Sequence, residues 1–408
     1  MKKTLSVFIG LAILVTAAVI AFLIWGVPYF FSISLPAPAG AGFNSEVVPA
    51  QVTLILDEGT VNLGGLVQPY QHLRVKILSG QYKGVLIELY YGKGQIQPEG
   101  IHFRPGDQIL VTVGQAINSN EVIANYADAM RTRPILIVLA VFVLCLVAVA
   151  RWKGLRSLLA LAFSFVVVIG YILPHILNGE DPVRVSIIGS MILLVVTLYL
   201  TYGWNLKTHA AVLGILAVLA ITGLLAWLFI NVAFLTGNGD ESALYLEQVP
   251  GIHVNLRGLL LGGMIIGALG VLDDMVVTQA SAVFELREAN SSLGFGALYR
   301  SAYRIGQDHV ASTVNTLVMA YTGVALPLLL LFTVESGNYN NLINLASVAE
   351  EIVRTLVGSL GLIAAVPIST LIATALAVYN QRLGVLRPYL GSEAGGEMHE
   401  HHVTPPAE

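Results

Sequence analysis

Residues 267–290 read GALGVLDDMVVTQASAVFELREAN and contain two consecutive carboxylates, Asp273 and Asp274, in an otherwise apolar run. The apolar residues before and around the pair extend over about 20 positions, enough for one helix to cross a bilayer. A charged side chain at the bilayer centre costs about 2.5 to 3.5 kcal/mol on insertion scales. The stretch therefore predicts a membrane-spanning helix whose acids serve a function.

The composition of the whole chain is that of a membrane protein. Of its 408 residues, 56% are hydrophobic and 11% are charged, against about 25% charged residues in ordinary soluble domains. We therefore predict a membrane all-α bundle of about eight transmembrane helices. The predicted spans are residues 5–25, 134–150, 157–177, 185–203, 210–235, 258–284, 311–333 and 357–378.

The distribution of lysine and arginine predicts how these helices are oriented. Lys2, Lys3 and the segment RWKGLR (151–156) fall on one side of the predicted bundle, with most other basic residues. Because cytoplasmic loops are enriched in Lys and Arg, we expect both termini in the cytoplasm and a multi-pass position in a bacterial plasma membrane. Arg131 and Arg133, just outside the second helix, are exceptions to this rule.

The same pattern divides the chain into domains. Residues 1–30 are predicted to be an uncleaved signal anchor forming the first helix, although the small residues of PAPAGAG after it also suit a cleavage site. Residues 36–133 contain short β-rich runs separated by turn sequences, which predicts a small extracytoplasmic all-β domain with an OB-like form. Residues 134–380 hold the other seven helices, in which 285–310 is expected to be a surface-lying amphipathic helix or a plain connection. Residues 381–408 are predicted to be a disordered cytoplasmic tail.

Missing motifs argue against several classes of function. The chain has no G-x-x-x-x-G-K-[ST] phosphate loop and no H-E-x-x-H or G-x-S-x-G motif, so we expect neither ATP-driven pumping nor another enzymatic activity. Its one cysteine, Cys145, lies in an apolar run and cannot form an intrachain disulfide or a cysteine zinc site. We expect no cofactor and no metal, and the tail histidines are better explained as solvated side chains. Scattered basic residues argue against a nucleic-acid partner and leave the lipid bilayer as the predicted one.

Helical phasing places Asp274 on a continuous face of small and polar residues. At about 100° per residue, this face is glycine on its outward half and oxygen-bearing on its inward half, with Asp273 at its edge. Glycines on a membrane helix let a neighbouring backbone come close, so the three glycines are predicted helix-packing residues. Besides Asp274, the face contains Gly263, Gly267, Gly270, Thr278, Ser281, Glu285 and Glu288. The opposite face, which suits lipid or apolar neighbours, contains Leu261, Ile265, Leu272 and Val276.

The acid pair has no compensating cation in the other predicted helices, where Lys and Arg lie at helix ends or in loops. Because burial disfavours the charged form of a carboxyl group, the pair must be held by a proton or by a bound cation. Polar residues of the seventh predicted helix are suited to hydrogen-bond Asp274. We therefore predict Asp273 and Asp274 as ion- or proton-coupling residues, supported by Thr278, Ser281, Asn315 and Thr316.

Three stretches carry a likeness to a known family: YADAMRTRPILIVLAVFVLCLVAVARWKGLRSLLAL (126–161), PHILNGEDP (174–182) and the stretch at 267–290. With the single anchor and the outward β segment, they make the chain resemble the YibE/F family of bacterial multi-span membrane proteins. That resemblance implies an architecture but no reaction. Residues 267–332 are also similar to a helix pair of resistance-nodulation-division exporters and their SecDF-type protein-export relatives, in which a mid-helix acid carries proton coupling.

These patterns favour a proton- or cation-coupled secondary transporter or export-assisting protein that uses the acid pair. Its substrate, whether a small molecule, an ion or a protein, is not identified by the sequence. The alternative is a non-transporting membrane scaffold or sensor whose outward β domain binds a partner. An intramembrane hydrolase is disfavoured, since it would need an oxyanion stabiliser that no motif supplies. A second copy of the chain or another membrane protein is a further expected partner.

Overall fold

The structure, a computed structural model, describes residues 46–94, 96, 101–115, 122–249, 251–335, 341 and 343–379. The predicted signal anchor at 1–30 and the predicted tail at 381–408 lie outside the described residues. The chain divides into two compact units, of which one is Pro36–Leu144 and the other combines Met1–Leu35 with Cys145–Glu408. Each unit is described by itself.

The first unit contains five strands: β1 (Glu46–Leu63), β2 (Leu66–Ile77), β3 (Leu86–Tyr91), β4 (Gln108–Gln115) and β5 (Val122–Ala129). They form one antiparallel sheet in the order β3-β2-β1-β4-β5. The long strand β1 pairs with both β2 and β4, and its register with β2 shifts after Val52 and after Ile55. Because such irregularities bend a strand, β1 contributes to both halves of the sheet. The ring centroids of Tyr91 and Tyr126, on the two outer strands, lie 4.8 Å apart, so the sheet curls into a half-barrel.

Alternation of side chains builds the core of this half-barrel. In β2, Leu73 and Val75 are fully buried while the intervening Arg74 is partly exposed, as expected for a strand with one covered face. The turn between β1 and β2 is made by Gly64 and Gly65, whose φ angles of 62° and 94° are those that a tight hairpin turn requires and that glycine adopts without strain. The predicted all-β segment is thus confirmed as an antiparallel half-barrel.

The helical part of the chain begins with α1 (Thr132–Val167), a π-helical turn (Val168–Ile172) and α2 (Leu173–Leu177). The elements that follow are α3 (Pro182–Tyr202), α4 (Leu206–Val232), α5 (Glu241–Gln248), α6 (Leu256–Ala289), α7 (Phe295–Val324), α8 (Leu326–Glu335) and α9 (Ala346–Tyr379). Among the described residues, five segments are long and apolar enough to cross a membrane: Thr132–Leu177, α3, α4, α6 and α9. These five segments correspond to six of the predicted spans, and the predicted span at 5–25 lies outside the described residues.

Two of the predicted spans, 134–150 and 157–177, belong to the single helical segment Thr132–Leu177. Its 46 residues would measure roughly 70 Å as a straight helix, about twice the thickness of the hydrocarbon layer. The segment is interrupted at Arg151, whose φ of 49° and ψ of −126° are not helical. A Cβ atom on Gly154 would lie 2.8 Å from the carbonyl oxygen of Leu146, which requires the chain to bend sharply at Arg151.

The seventh predicted span differs from the structure. We predicted a span at 311–333 preceded by a separate surface helix or connection at 285–310, whereas α7 runs without interruption from Phe295 to Val324 and α8 follows it. Neither α7 nor α8 is among the five span-like segments. The physical reason for this unbroken helix is that no proline or other helix-breaking residue lies at the boundary between 285–310 and 311–333. One buried stripe, which includes Leu298, Ala302 and Leu317, continues through both.

Helix α6 lies among α3, α4, α7 and α9 and contacts all four. Small residues let the helices approach closely at these contacts, as is usual between membrane helices. A Cβ atom on Gly214 of α4 would lie 2.9 Å from Val276 of α6, and one on Gly361 of α9 would lie 2.5 Å from the hydroxyl of Thr222 in α4. The predicted α-helical bundle is therefore confirmed as a packed helical unit.

Candidate functional site

The acid pair lies well inside helix α6. The helix begins after Asn255, whose side chain accepts a hydrogen bond from the backbone N–H of Gly258 at 3.1 Å and so caps the first turn. With 34 residues, α6 is about 51 Å long. Asp273 lies 17 positions after Leu256, or roughly 26 Å along the helix, near its middle. The half of α6 beyond the pair carries polar side chains on one face and buried apolar ones on the other.

The two carboxyl groups have different surroundings. Asp274 is exposed, whereas Asp273 is partly buried and its Oδ1 atom, shielded from solvent, has no hydrogen-bond partner in the part of the chain that the structure describes. No ion pair between described residues includes either acid, as the described pairs are His72–Glu88, Arg74–Glu88, His102–Glu58, Arg131–Asp128, His175–Glu180 and Arg354–Glu351. Tyr202, at the end of α3, lies within electrostatic range of both carboxylates. The pair thus has no cationic partner among the described residues.

The face that phasing assigns to Asp274 is the uncovered side of α6. Thr278, Glu285 and Glu288 are exposed, and Ser281 is partly buried. The three glycines Gly263, Gly267 and Gly270 are exposed as well. Among the described residues, a Cβ atom at Gly263 or Gly270 would meet nothing within 4 Å, and one at Gly267 would meet the hydroxyl of Tyr321 at 3.5 Å. The role of these glycines in helix packing therefore stays a prediction.

The opposite side of α6 is the packed side. Leu272 and Val276 have no exposed surface, and Leu261 and Ile265 are buried to at least nine-tenths. They belong to the core that α6 forms with α3, α4 and α9. The sequence suited this face to either lipid or apolar neighbours. In the structure it has apolar neighbours.

Helix α7 runs antiparallel to α6 and brings its polar residues to the height of the acid pair. The side chain of Gln279 in α6 reaches the carbonyl of Ala302 at one end of the contact, and Gly267 faces Tyr321 at the other. The turn 312–316 of α7 lies between these two contacts, at about the height of Asp274.

Asn315 and Thr316 do not hydrogen-bond Asp274 in the described structure. Both side chains are exposed, and the hydroxyl of Thr316 donates instead to the carbonyl of Ser312 at 3.1 Å. The reason is that α6 and α7 touch through a different stripe, which contains Gln279 and Gly306. The polar faces of α6 and α7 thus lie at a similar level along the two helices and are both exposed, but no hydrogen bond between described residues connects Asp274 to Asn315 or Thr316.

Gln279 makes a polar contact between helices that was not predicted from the sequence. It is 2% exposed, and its Nε2 donates to the carbonyl of Ala302 in α7 at 2.8 Å and to the hydroxyl of Thr370 in α9 at 2.7 Å. One side chain therefore links three helices five positions after Asp274. The signal that could have revealed it is an amide inside an apolar span, since such groups hydrogen-bond between helices.

The outer surface of the β unit carries a second cluster of polar and aromatic side chains. The Nε2 atom of His72 lies 3.4 Å from Glu88, and its ring stacks on Tyr90 at 4.1 Å between centroids. The guanidinium of Arg74 bonds Glu88 at 2.7 Å and holds the pKa of that carboxyl below its usual value. The amine of Lys93 lies 4.4 Å from the centre of the Tyr90 ring, which is cation–π distance. This cluster depends on strand register, so it was not predicted from sequence.

The chemistry available at the acid pair is proton exchange or cation binding. Two adjacent carboxyl groups, one shielded and one open, can hold a proton or a cation between the apolar core and the uncovered face. Among the residues that the structure describes, no group of three or more His, Cys, Asp or Glu side chains is arranged to hold a metal ion. The site as described is therefore a pair of acids with hydroxyl and amide groups nearby.

The five span-like segments define a multi-pass membrane protein. A family model described as YibE/F-like protein matches residues 138–378, which is more than half of the chain and includes α6, α7 and α9. The chain belongs to the YibE/F-like family, and this confirms the family resemblance read from the sequence. No curated protein and no solved structure matches the chain. The local likeness to resistance-nodulation-division exporters is not tested by these comparisons and stays a prediction.

Proposed function

We propose that this protein is a proton- or cation-coupled secondary transporter or export-assisting protein in which Asp273 and Asp274 carry the coupling ion. The observation that supports this most is the acid pair itself, which lies in an apolar helix and has no cationic partner among the described residues. Acids in membrane helices are costly and usually functional. A proton or a cation would remove the cost of the unpaired charge.

The two acids have separate roles in this proposal. Asp274, on the uncovered face, exchanges the ion with water or substrate, because its side chain is accessible. Asp273 has a shielded Oδ1 atom without a hydrogen-bond partner among the described residues. Because burial disfavours a charged carboxyl, Asp273 holds a proton while Asp274 is ionised. Thr278 and Ser281 on α6, with Asn315 and Thr316 on α7, supply the oxygen and amide groups that would orient an ion on this face.

The proposal includes an orientation in the membrane. We infer both termini in the cytoplasm of a bacterial cell and the β unit outside, from the side of the bundle that carries most of the basic residues. In this orientation the carboxyl end of α6, with Glu285, Arg287 and Glu288, faces the cytoplasm. No enzymatic step and no cofactor is part of the proposal.

Proton movement into proteoliposomes tests this function directly. Purified full-length protein is reconstituted with a pH-sensitive dye inside, and an imposed pH gradient or potential drives flux. We expect Asp274→Asn to reduce flux at least about tenfold and the double variant with Asp273→Asn to abolish it, because neither amide can bind a proton in this range. Glu288→Gln, which removes one exposed carboxylate from the end of the same helix, is the matched control and should leave flux unchanged.

The result that rejects coupling at this site is proton flux in the double variant equal to that of the wild type. Replacing Na⁺ by the large cation choline separates the two coupling ions. Flux that requires Na⁺ and is lost with the acids indicates a cation carried by the pair, whereas flux independent of Na⁺ indicates a proton.

A membrane scaffold or sensor is the second candidate, and the polar and aromatic cluster on the β unit supports it. Exposed Tyr90, with the ring of His72 stacked on it, is the type of surface that binds a partner, since aromatic side chains are enriched at interfaces. This candidate predicts that deleting residues 40–125 prevents complementation of a deletion strain while the double Asn variant still complements. The transporter predicts that the double Asn variant fails to complement.

A further inference from the structure

A cavity of about 460 Å³ lies in the first unit where the chain passes from β5 into α1. It is lined by the segment before β4 and by the first residues of α1, including His102, Asp107, Met130, Arg133 and Pro134. Its volume is within the range of small-molecule sites in proteins, about 300 to 1,000 Å³. None of its lining residues belongs to α6 or α7.

Arg133 supplies an unpaired positive charge to this cavity. The neighbouring Arg131 is paired with Asp128 at 2.7 Å, and this pairing holds the pKa of the Asp128 carboxyl below its usual value. The side chain of Arg133 has no hydrogen bond or ion pair with any residue that the structure describes. Both arginines depart from the positive-inside rule, but Asp128 neutralises only Arg131. The side chain of Arg133 is exposed, so its charge is available to an anionic partner from outside the described chain.

Asp107 supplies a negative charge to the same cavity. Its Oδ2 atom accepts a hydrogen bond from the backbone N–H of Arg104 at 2.7 Å, and this bond fixes the carboxylate in the turn before β4. Its Oδ1 atom accepts no hydrogen bond from the described residues and is available to a donor in the cavity. The cavity thus offers one cation and one anion, which suits a zwitterionic group better than a simple anion.

The helix beyond the cavity is apolar and uncovered. Ile135, Ile137, Val138 and Val141 follow Arg133 in α1 and are 61%, 64%, 68% and 54% exposed. A charged cavity is therefore followed directly by an apolar wall suited to hydrocarbon. Charged side chains are thus followed along the chain by apolar ones, in the same order as the head group and the acyl chains of a phospholipid.

We propose that this cavity binds the head group of a phospholipid that carries a primary ammonium, with the lipid phosphate on Arg133 and the ammonium on Asp107. The acyl chains would lie along the exposed apolar side chains of α1. A primary ammonium donates hydrogen bonds to a carboxylate, whereas the quaternary ammonium of choline has no N–H to donate. A head group of glycerol offers hydroxyl donors but no positive charge, so the Asp107 carboxylate would lie uncompensated beside the negative lipid phosphate.

Lipid retention by the full-length protein tests the proposal. The protein is purified in detergent and incubated with phosphatidylethanolamine, phosphatidylcholine or phosphatidylglycerol of identical palmitoyl and oleoyl chains, and retained lipid is counted by native mass spectrometry. We expect phosphatidylethanolamine to be retained several-fold more than the other two lipids. Arg133→Gln should lower its retention about tenfold, the effect of losing one hydrogen bond to a charged group.

Two further variants give the experiment its controls. Arg104→Gln removes an equal charge from the segment before β4 but lies outside the cavity lining, so retention should equal that of the wild type. Asp107→Asn keeps an oxygen for the Arg104 N–H but removes the charge, and it should reduce phosphatidylethanolamine to the level of phosphatidylcholine. Size-exclusion elution identical to that of the wild type shows that each variant is folded.

Three outcomes would overturn the proposal. Equal retention of the three lipids would remove the role of the ammonium, and equal behaviour of the Arg133 and Arg104 variants would remove the role of the cavity. Displacement of the lipid by millimolar inorganic phosphate would show that the site recognises free phosphate and not a lipid. Because proton flux is not the readout, these outcomes are independent of the transporter proposal.

Discussion

Replacing Gln279 by methionine tests whether the three-helix contact beside the acid pair stabilises the bundle. Methionine has nearly the same length and volume, so the substitution removes two hydrogen bonds without opening a large cavity. The groups that lose Gln279 keep partners of their own. The hydroxyl of Thr370 still donates to the carbonyl of Val366 at 2.5 Å, and the carbonyl of Ala302 stays within helix α7. The change therefore leaves no buried group without a hydrogen bond.

The expected loss follows from the two bonds. Hydrogen bonds between membrane helices contribute about 0.6 kcal/mol each on average, and those in soluble proteins about 0.5 to 1.5 kcal/mol. Two bonds of 2.7 and 2.8 Å in a fully buried position should lie in the upper part of the membrane range. We expect Gln279→Met to lower the free energy of unfolding by roughly 1 to 2 kcal/mol.

The assay is reversible unfolding in mixed micelles with an increasing fraction of sodium dodecyl sulfate, followed by circular dichroism. Gln307→Met is the matched control, because Gln307 lies on α7 and is exposed, and it should change the free energy of unfolding by less than about 0.5 kcal/mol. Equal stability of the two variants would refute the argument that Gln279 joins the helices. A loss above about 4 kcal/mol would also refute it, since two neutral hydrogen bonds cannot supply that much.

Three further predictions concern other contacts. Glu350, 4% exposed, accepts hydrogen bonds from the backbone N–H groups of Gly237 and Gly239 at 3.0 and 3.3 Å, so Glu350→Ala should cost about 2 to 4 kcal/mol and Glu350→Gln clearly less, measured by thermal unfolding in detergent. Gly237→Ala should lower the melting temperature by several degrees, since its φ is 84° and a Cβ atom would strike the carbonyl of Leu256; an unchanged temperature would contradict this. The pKa of Glu88 is lowered by Arg74, so this pair stabilises the β unit above the ordinary carboxyl pKa and the contribution is lost as the pH falls through the lowered pKa; Arg74→Gln should raise the Glu88 midpoint in an NMR titration.

The sequence predicted the elements whose signals are local. Six of the predicted spans lie in segments that are long and apolar enough to cross a membrane, because hydropathy over about 20 residues is a local property. The break at Arg151 falls where the predicted spans 134–150 and 157–177 separate, but its sharpness was not predicted, and neither was the unbroken course of α7. A bend at Arg151 requires a backbone conformation that the letters RWKG do not specify, and the polar residues before residue 311 did not reveal the buried stripe that continues through α7.

The candidate site was predicted in part for the same reason. Two acids in an apolar run are visible in the sequence, and helical phasing places Asp274 on the same side of α6 as Thr278, which is exposed in the structure. Phasing alone does not state which side of a helix meets its neighbours. Gln279 is therefore visible as a residue but not as a contact, since its partners lie 23 and 91 positions away. The cluster around His72 depends on strand register, which pairs His72 with Tyr90 and Arg74 with Glu88, and register follows from the whole sheet.

Stability and the proposed function lie on opposite sides of the same helix. The packed side of α6 contains Leu272, Val276 and Gln279, which are buried against other helices, while the uncovered side contains Asp274 and Thr278. Because residues without shared partners contribute independently, substitutions on the two sides should separate. Gln279→Met should weaken the bundle and retain proton flux in the folded fraction, whereas Asp274→Asn should lose flux and retain stability. If both variants lost both properties, the carboxyl of Asp274 would belong to the packing of the bundle, and the argument that its charge is free to carry an ion would fail.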